Sequence, residues 1–476
     1  MSTSRAVTAP ALSTAQRWVL WITAIASFMV ALDVLVVSTA LSAIRTGLGA
    51  STAQLEWTIN AYVLSFGVLM MSGAALGDRF GRRRVFAAGI ALFAAASVGC
   101  ALAPTVGWLI AARALQGAGG ALVMPLSLAL LGSAVTPEQR GRALGVFGSV
   151  SGFAVLCGSL LGGAVVEGIS WPWVFWINVP IAIVLVPLAV RRIDESFGPA
   201  ARLDVPGVIL VTVAAGGLVW GLVRSTAVGW GSAEVVGALA LGMAFAAAFV
   251  LVELRAEAPM LPPRLFRSRG FSAANGAMFF WFASMLGTLF FMAQFLQTVL
   301  GYGPLQTGLR LMPWGATTFI MPRVAGRLIG RVGSRPLVVG GLALQTGSMA
   351  VLAAIAAPDM AYGAMVVPLV LSGTGFAMAL PAIQAAVLGA VVPEEVGKAS
   401  GTLNTIRQLG GAFGVAITAA VFAAAGGYTS ARAFSDGFAG AMAACAALAL
   451  LGALAGAALP RPAPMTYAHA TNEGKP

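Results

Sequence analysis

Two charged side chains that lie inside apolar runs are the residues in this chain best suited to chemistry. Asp33 lies in the first run, where it is the only acid that we place well inside an apolar segment, and Arg113 lies in the fourth. Burial disfavours a carboxylate, so we expect Asp33 to hold a proton unless a cation approaches it. Such an acid can couple a proton or cation to transport; the alternative is a structural hydrogen bond between helices.

Arg113 heads a polar stripe. Gln116, Gly117 and Gly120 follow it at helical spacing and share its face. Because an unpartnered charge in a membrane costs at least about a few kcal/mol, we expect this face to line a central cavity. Alternatively, Arg113 reaches the headgroups. Direct contact would hold Asp33 ionised, so we expect the two side chains to be apart, or to meet in only one conformation.

Further polar or deformable side chains in the apolar runs could line the same cavity. The ninth run is dense in Phe and Met, which either form an adaptable wall for lipophilic ligands or pack against lipid and other helices. The further cavity candidates are Trp57, Asn60, Met124, Gln294, Gln297, Arg407 and Gln408.

The composition is typical of an integral membrane protein. The chain has 476 residues, of which 59% are hydrophobic and 9% charged, with a mean hydropathy of +0.91. About fourteen apolar runs are each long enough to cross about 30 Å of hydrocarbon as a helix. They do not alternate polar and apolar residues, which excludes a barrel. We therefore expect an all-α integral membrane protein with fourteen transmembrane helices.

The net charge of +12 does not indicate a nucleic-acid partner, because the basic residues follow the loops. When alternate loops are read as cytoplasmic, only Arg45, Arg224 and Arg432 fall outside. Arg113, Arg310 and Arg407 stay within apolar runs. This bias predicts that both termini are cytoplasmic.

Other site types are poorly represented. The three cysteines, Cys100, Cys157 and Cys445, all lie in apolar segments, which suggests neither disulfides nor a metal site. The single histidine, His469, lies in a polar tail, which argues against a histidine-based membrane enzyme. We expect a protein that is not an enzyme and has no cofactor.

The chain contains an internal repeat. Residues 74–83 match residues 326–335, and two later blocks repeat at a similar offset of about 250 residues. The repeated loops are basic in both copies, so the halves should be parallel and related by an axis along the membrane normal. We expect a six-helix bundle at 14–190, a linker with two extra helices at 191–270, a second six-helix bundle at 271–460 and a polar tail at 461–476.

The first repeated loop is a basic hairpin. Gly81 permits its tight turn, and Asp78 is an acid among the arginines Arg79, Arg82 and Arg83. Asp78 can pair with these cations or with a helix N-terminus in one conformation and lose that partner in another, as a cytoplasmic gate would. The second copy keeps Arg331, Gly333 and Arg335 but replaces the acid with Gly330.

This hairpin resembles the loop between helices 2 and 3 of major facilitator superfamily transporters. The fourteen runs narrow the resemblance to the fourteen-helix drug:proton antiporters. Four further stretches also look like this group, namely residues 32–37, 173–180, 304–310 and 404–411. Residues of the fifth run resemble its exporter motif, although Ala154 replaces a glycine and Ser159 a proline; helix packing alone is the alternative. They are Gly145, Gly158, Ser159, Gly162 and Gly163.

The resemblance implies a monomeric, proton-coupled antiporter in a bacterial cytoplasmic membrane. It would export lipophilic, cationic or amphipathic small molecules by alternating access, with the proton gradient as its energy source and Asp33 and Arg113 as coupling residues. Two alternatives remain, an importer of a small polar nutrient and a receptor or scaffold that transports nothing.

Overall fold

The computed structural model describes residues 12–198, 204–256, 259, 261, 263–392 and 395–460. The predicted tail at 461–476 and part of the predicted linker lie outside these residues. The regular elements within them are α1 (Thr14–Leu48), α2 (Thr52–Phe80), α3 (Arg82–Ala101), α4 (Val106–Ala134), α5 (Pro137–Gly168), α6 (Trp173–Trp176), α7 (Asn178–Arg192), α8 (Val205–Val228), α9 (Ala233–Glu253), a 3-10 helix (Pro263–Arg267), α10 (Arg269–Thr298), α11 (Pro304–Val332), α12 (Ser334–Ile355), α13 (Tyr362–Leu388), α14 (Val396–Ala425) and α15 (Ala431–Ala457).

Twelve helices in the described part of the chain are long and apolar enough to cross a membrane, with α6 and α7 forming one span, Trp173–Arg192. The sequence predicts fourteen. The two long helices that fall short are α5, which contributes a shorter apolar stretch, Cys157–Gly168, and α11, which carries several arginines and three prolines. The fold is therefore an all-helical membrane fold, as predicted, whereas the count of fourteen spans is not established.

The helices pack in two groups with matching contacts. In the first group α4 packs on α2 and α3, α1 on α5, and α3 on α7. In the second, α13 packs on α11 and α12, α10 on α14, and α12 on α15. The groups meet through α5 with α11, α2 with α14, and α1 with α10, while α8 packs on α9, α2 and α14.

Glycine allows some of these helices to approach until their backbones touch. A Cβ on Gly119 of α4 would lie 2.7 Å from the backbone nitrogen of Phe93 on α3. A Cβ on Gly117 would clash with the carbonyl of Tyr62 and the hydroxyl of Ser65 on α2. Small residues at such crossings permit the close packing that stabilises helices in lipid.

Two glycines close the turns at one end of the molecule. Gly81, between α2 and α3, has φ 104°, and Gly333, between α11 and α12, has φ 79°. A side chain at either position would be strained. We call this the hairpin end, and the opposite end the distal end.

The outer surface is apolar along the helices. Val236, Leu241, Met243, Val250 and Leu251 on α9 are all more than half exposed. Hydrocarbon rather than water is the solvent that such a surface fits. Polar groups inside the molecule must therefore find their partners within the protein.

Candidate functional site

Asp33 is the centre of a buried polar network that joins the helices of the first group. Its side chain is 1% exposed. One carboxylate oxygen accepts a hydrogen bond from Arg113 in an ion pair between α1 and α4. The other accepts from Gln116 Nε2 at 2.8 Å and from Asn178 Nδ2 at 3.2 Å. The carboxylate is thus fully partnered in its ionised form.

Arg113 is held by hydrogen bonds and by aromatic rings. Its Nε donates to the Thr58 carbonyl at 3.0 Å, and its Nη1 donates to Gln116 Oε1 at 2.6 Å. The guanidinium carbon lies 4.2 Å from the centre of the Tyr62 ring and 5.9 Å from that of Phe175. Since Arg113 is 1% exposed, the alternative in which it reaches the headgroups is wrong.

The expectation that Asp33 and Arg113 lie apart is also wrong for this conformation. They are joined directly by the ion pair between α1 and α4. Contact in only one conformation remains a prediction.

Four members of the network were missed by sequence reasoning. Ser97 on α3 accepts hydrogen bonds from Gln116 Nε2 at 2.8 Å and Asn178 Nδ2 at 3.3 Å, and Thr58 and Tyr62 contact Arg113 as described. A lone serine, threonine or tyrosine in an apolar run carries little signal. Asn178 is the member that the sequence could have indicated, because it lies within the stretch 173–180 that resembles the family.

The network ties α1 to α4 through a buried ion pair. Removal of either partner would leave the other charge buried and unpaired, which is costly.

A second cluster joins the two helix groups near the distal end. Gln297 Nε2 on α10 donates to the Thr39 carbonyl on α1 at 3.0 Å. The Tyr428 hydroxyl, between α14 and α15, donates to Gln294 Oε1 at 2.7 Å, and the Arg45 guanidinium lies 3.7 Å from the Tyr428 ring centre. We call these five residues the distal contact. Gln294 and Gln297 thus hold helices together in this conformation.

The other predicted cavity residues are distributed along α2, α4 and α14. Gln408 packs against Gly67 where α14 crosses α2. The guanidinium of Arg407, next along α14, lies 5.4 Å from the ring centre of Phe282, with its Nε unpartnered. Trp57 packs against Trp220 of α8 instead, with ring centres 5.7 Å apart. Met124 is half-buried against the main hydrophobic core.

The small residues of α5 pack on two partners. A Cβ on Gly158 would lie 2.6 Å from Leu35 Cβ, and one on Gly162 would lie 3.0 Å from Val36 Cα, both on α1. Gly163 touches the backbone at the start of α11, and the Ser159 carbonyl lies against Gly308. Gly145 lies in the part of α5 whose side-chain surroundings are outside the described residues. The motif therefore places α5 between α1 and α11.

At the hairpin end Asp78 pairs with Arg82 at 2.7 Å. Glu195, which sequence reasoning missed, follows α7 and accepts a hydrogen bond from the Arg83 backbone at 2.9 Å. Arg79 lies over the Phe80 ring, 5.3 Å from its centre. In the second hairpin Arg331 is exposed and Arg335 half-buried on either side of Gly333.

Asp33 is not the only acid inside a membrane-spanning helix. Glu56 on α2 is 1% exposed, and neither of its carboxylate oxygens has a hydrogen-bond partner in the described part of the chain. One turn along α2, Asn60 is fully buried, and its amide is also unpartnered. Sequence reasoning missed Glu56 because it follows the polar residues that begin α2.

We predict that Arg113→Met destabilises the protein strongly, because it leaves Asp33 charged and buried without its cation. Breaking a buried pair costs about 3–5 kcal/mol. Thermal melting of purified protein in detergent should show a large drop for Arg113→Met and recovery of most of it for Arg113→Met with Asp33→Asn. Arg224→Met, which breaks an exposed ion pair with Glu234, is the control and should change melting much less. A double variant no more stable than Arg113→Met would contradict the prediction.

Residues 23–415 match the family model of the Major Facilitator Superfamily. The multidrug resistance protein Stp of Mycobacterium tuberculosis (strain CDC 1551 / Oshkosh) is 34% identical over 405 residues, covering 84% of this chain and 75% of that protein. The puromycin resistance protein pur8 of Streptomyces alboniger is 37% identical over 412 residues, covering 84% of this chain and 80% of that protein. The cephamycin export protein CmcT of Amycolatopsis lactamdurans is 38% identical over 403 residues, covering 82% of each.

Solved structures share the fold at low identity. The POT family transporter PepTSo matches with a TM-score of 0.68 and 14% identity, covering 94% of this chain and 98% of that chain. A bacterial homologue of the human lysosomal transporter Spinster matches with a TM-score of 0.67 and 16% identity, covering 95% and 100%. The family model and the relatives agree with the helical membrane fold: this chain belongs to the major facilitator superfamily and is a multi-pass membrane protein.

Proposed function

We propose that this protein is a proton-coupled antiporter that exports small lipophilic molecules by alternating access. The observation that carries the proposal is the buried ion pair of Asp33 and Arg113, an ionisable pair in the interior of membrane-spanning helices. Such pairs are costly and mark the pathways of protons and substrates. The names of the relatives, which include resistance and export proteins for puromycin and cephamycin, support the direction of transport.

In the proposed cycle the ion pair is the state from which the proton has left. Arg113 and two amides stabilise the Asp33 anion. When Arg113 withdraws, the carboxylate takes a proton from the more acidic side. A cationic substrate that approaches the protonated acid favours release of the proton, so that proton and substrate bind alternately.

The chemistry of the interior favours lipophilic substrates. α10 places Trp281, Met285, Phe290, Phe291 and Met292 inside the protein, although several of these pack on other helices. Phe291, for example, stacks on Phe422 with ring centres 4.5 Å apart. A polar nutrient needs several polar groups free to converge on it, whereas the amides of Gln116 and Asn178 already donate to Asp33 and Ser97.

We propose further that α5 and α11 also cross the membrane, which makes fourteen spans with α8 and α9 inserted between two six-helix bundles at 14–190 and 271–460. The matching helix contacts of the two groups support this arrangement. The hairpin end, which carries the clustered arginines, faces the cytoplasm. The protein acts as a monomer in a bacterial cytoplasmic membrane.

We predict that Asp33→Asn abolishes uphill export. The amide keeps hydrogen bonding to Gln116 and Asn178 but cannot bind and release a proton. In proteoliposomes with an imposed pH gradient, accumulation of ethidium should fall to the level of empty vesicles, whereas downhill exchange survives. Asp436→Asn, an exposed acid near Arg432, is the control and should transport normally. Uphill transport at the wild-type rate by Asp33→Asn would place the proton elsewhere.

We predict that Asp78→Asn impairs the cytoplasmic gate. A partly buried pair such as Asp78 with Arg82 is worth about 1 kcal/mol, which corresponds to about a fivefold shift between conformations. The initial rate of efflux from cells should fall by up to that factor while the amount of protein in the membrane is unchanged. Asp359→Asn, an exposed acid at the distal end, should have no effect. Normal efflux by Asp78→Asn would rule out a gating role.

The orientation is predicted from the loop charges. Reporter fusions after Arg84 and after Lys475 should both report a cytoplasmic location, and a fusion after Gly229, between α8 and α9, an external one. A periplasmic signal at Arg84 would reverse the orientation.

A further inference from the structure

Glu56 is a buried titratable group that the proposed cycle does not use. It is 1% exposed, and its two oxygens have no hydrogen-bond partner among the described residues. An ionised carboxylate in such a place would cost far more than a protonated one. Asp33, on the neighbouring helix, has the opposite surroundings, with a cation and two amides on its oxygens.

The start of α2 does not supply the missing partner. Ser51 and Gln54 form a capping box that satisfies each other's backbone N–H groups. Glu56 is the fifth residue of α2, beyond the first turn whose free N–H groups stabilise an anion. Its side chain is therefore not a helix cap.

Helical spacing shows where Glu56 points. Glu56, Asn60 and Gly67 lie four and then seven residues apart and so share a face. Gly67 packs against Gln408 of α14, which directs this face toward the second helix group. Thr58 and Tyr62 lie on another face of α2, where they contact Arg113.

The distal contact supplies the charged and titratable neighbours of Glu56. Burial raises the pKa of the Tyr428 phenol; the Arg45 guanidinium lowers it and the Glu56 carboxylate raises it, so Glu56 and Tyr428 interact electrostatically. Arg45 lies over the Tyr428 ring, and Gln294 is neutral and bonded to the Tyr428 hydroxyl. In the part of the chain that the structure describes, Glu56 has no ion-pair partner.

We propose that Glu56 is a proton-binding site, that it holds its proton while the distal contact is closed, and that loss of the proton favours opening of this contact. The inference deepens the proposed proton coupling by assigning a second carboxylate to it. A neutral Glu56 can stay buried between α2 and the second helix group. An ionised Glu56 needs water or a cation, and both become available when the helix groups separate at the distal end.

This assignment gives Asp33 and Glu56 different tasks. Asp33 with Arg113 lies wholly within the first helix group, whereas Glu56 lies where the groups meet. After substrate is released at the distal end, Glu56 takes up a proton, and this proton favours closure of the distal contact. Return of the empty carrier depends on that proton.

The test measures the distal contact directly. Leu102, which is 64% exposed, and Ala361 lie on different helix groups at the distal end. Spin labels at Leu102→Cys and Ala361→Cys, in a chain whose three native cysteines are replaced, report their separation by pulsed electron paramagnetic resonance. We expect the wild-type separation to increase as pH rises and Glu56→Gln to keep the short separation at every pH. Glu56→Asp should restore a pH response.

Matched controls separate this site from others. Asp359 is an exposed acid at the same end, and the variant Asp359→Asn should leave the pH response unchanged. The proposal would be overturned if Glu56→Gln kept the pH response of the wild type. It would also be overturned if Asp33→Asn alone abolished that response.

The measurement needs no substrate, so it is independent of the proposed export. Absence of ethidium transport together with a response that depends on Glu56 would refute the exporter and keep the proton site. Transport that depends on Asp33, together with a pH response that does not depend on Glu56, would keep the exporter and refute the proton site at Glu56.

Discussion

The ion pair between Asp33 and Arg113 is the interaction on which the first helix group depends. It fixes α1 to α4, and the groups that complete it, Thr58, Ser97 and Asn178, bring in α2, α3 and α7. In hydrocarbon no water can replace a lost partner, so each of these helices must be placed correctly for the pair to be tolerated. In the proposed cycle, a proton on Asp33 would remove the negative charge that this arrangement stabilises.

α2 connects this network to the rest of the molecule. One of its faces contacts Arg113, and another carries Glu56, Asn60 and Gly67 toward the second helix group. α2 therefore contacts Arg113, the partner of Asp33, and itself carries the unpartnered Glu56. Close packing at Gly117 and Gly67 leaves no room for a side chain where α2 meets α4 and α14.

The hairpin end and the distal end are stabilised by different kinds of interaction. At the hairpin end backbone hydrogen bonds and partly exposed charges of Asp78, Arg82 and Glu195 hold the turn after α2. At the distal end Gln297 joins the groups by a neutral hydrogen bond to Thr39, Arg45 lies over the Tyr428 ring, and α5 meets α11 through glycine. Water and salt weaken the partly exposed charges of the hairpin end more than this neutral hydrogen bond.

The sequence by itself determined the membrane class, the all-helical fold and the repeated hairpins, and it singled out Asp33 and Arg113, because hydropathy, loop charge and helical spacing are local properties that survive without tertiary contacts. Only the tertiary structure decided which polar groups meet. It joined Asp33 to Arg113, recruited Ser97 and Asn178 from distant helices, and buried Glu56, whose position at the start of α2 resembles an ordinary helix end. Partnering in a membrane depends on how helices pack against one another, and no spacing along one helix specifies that.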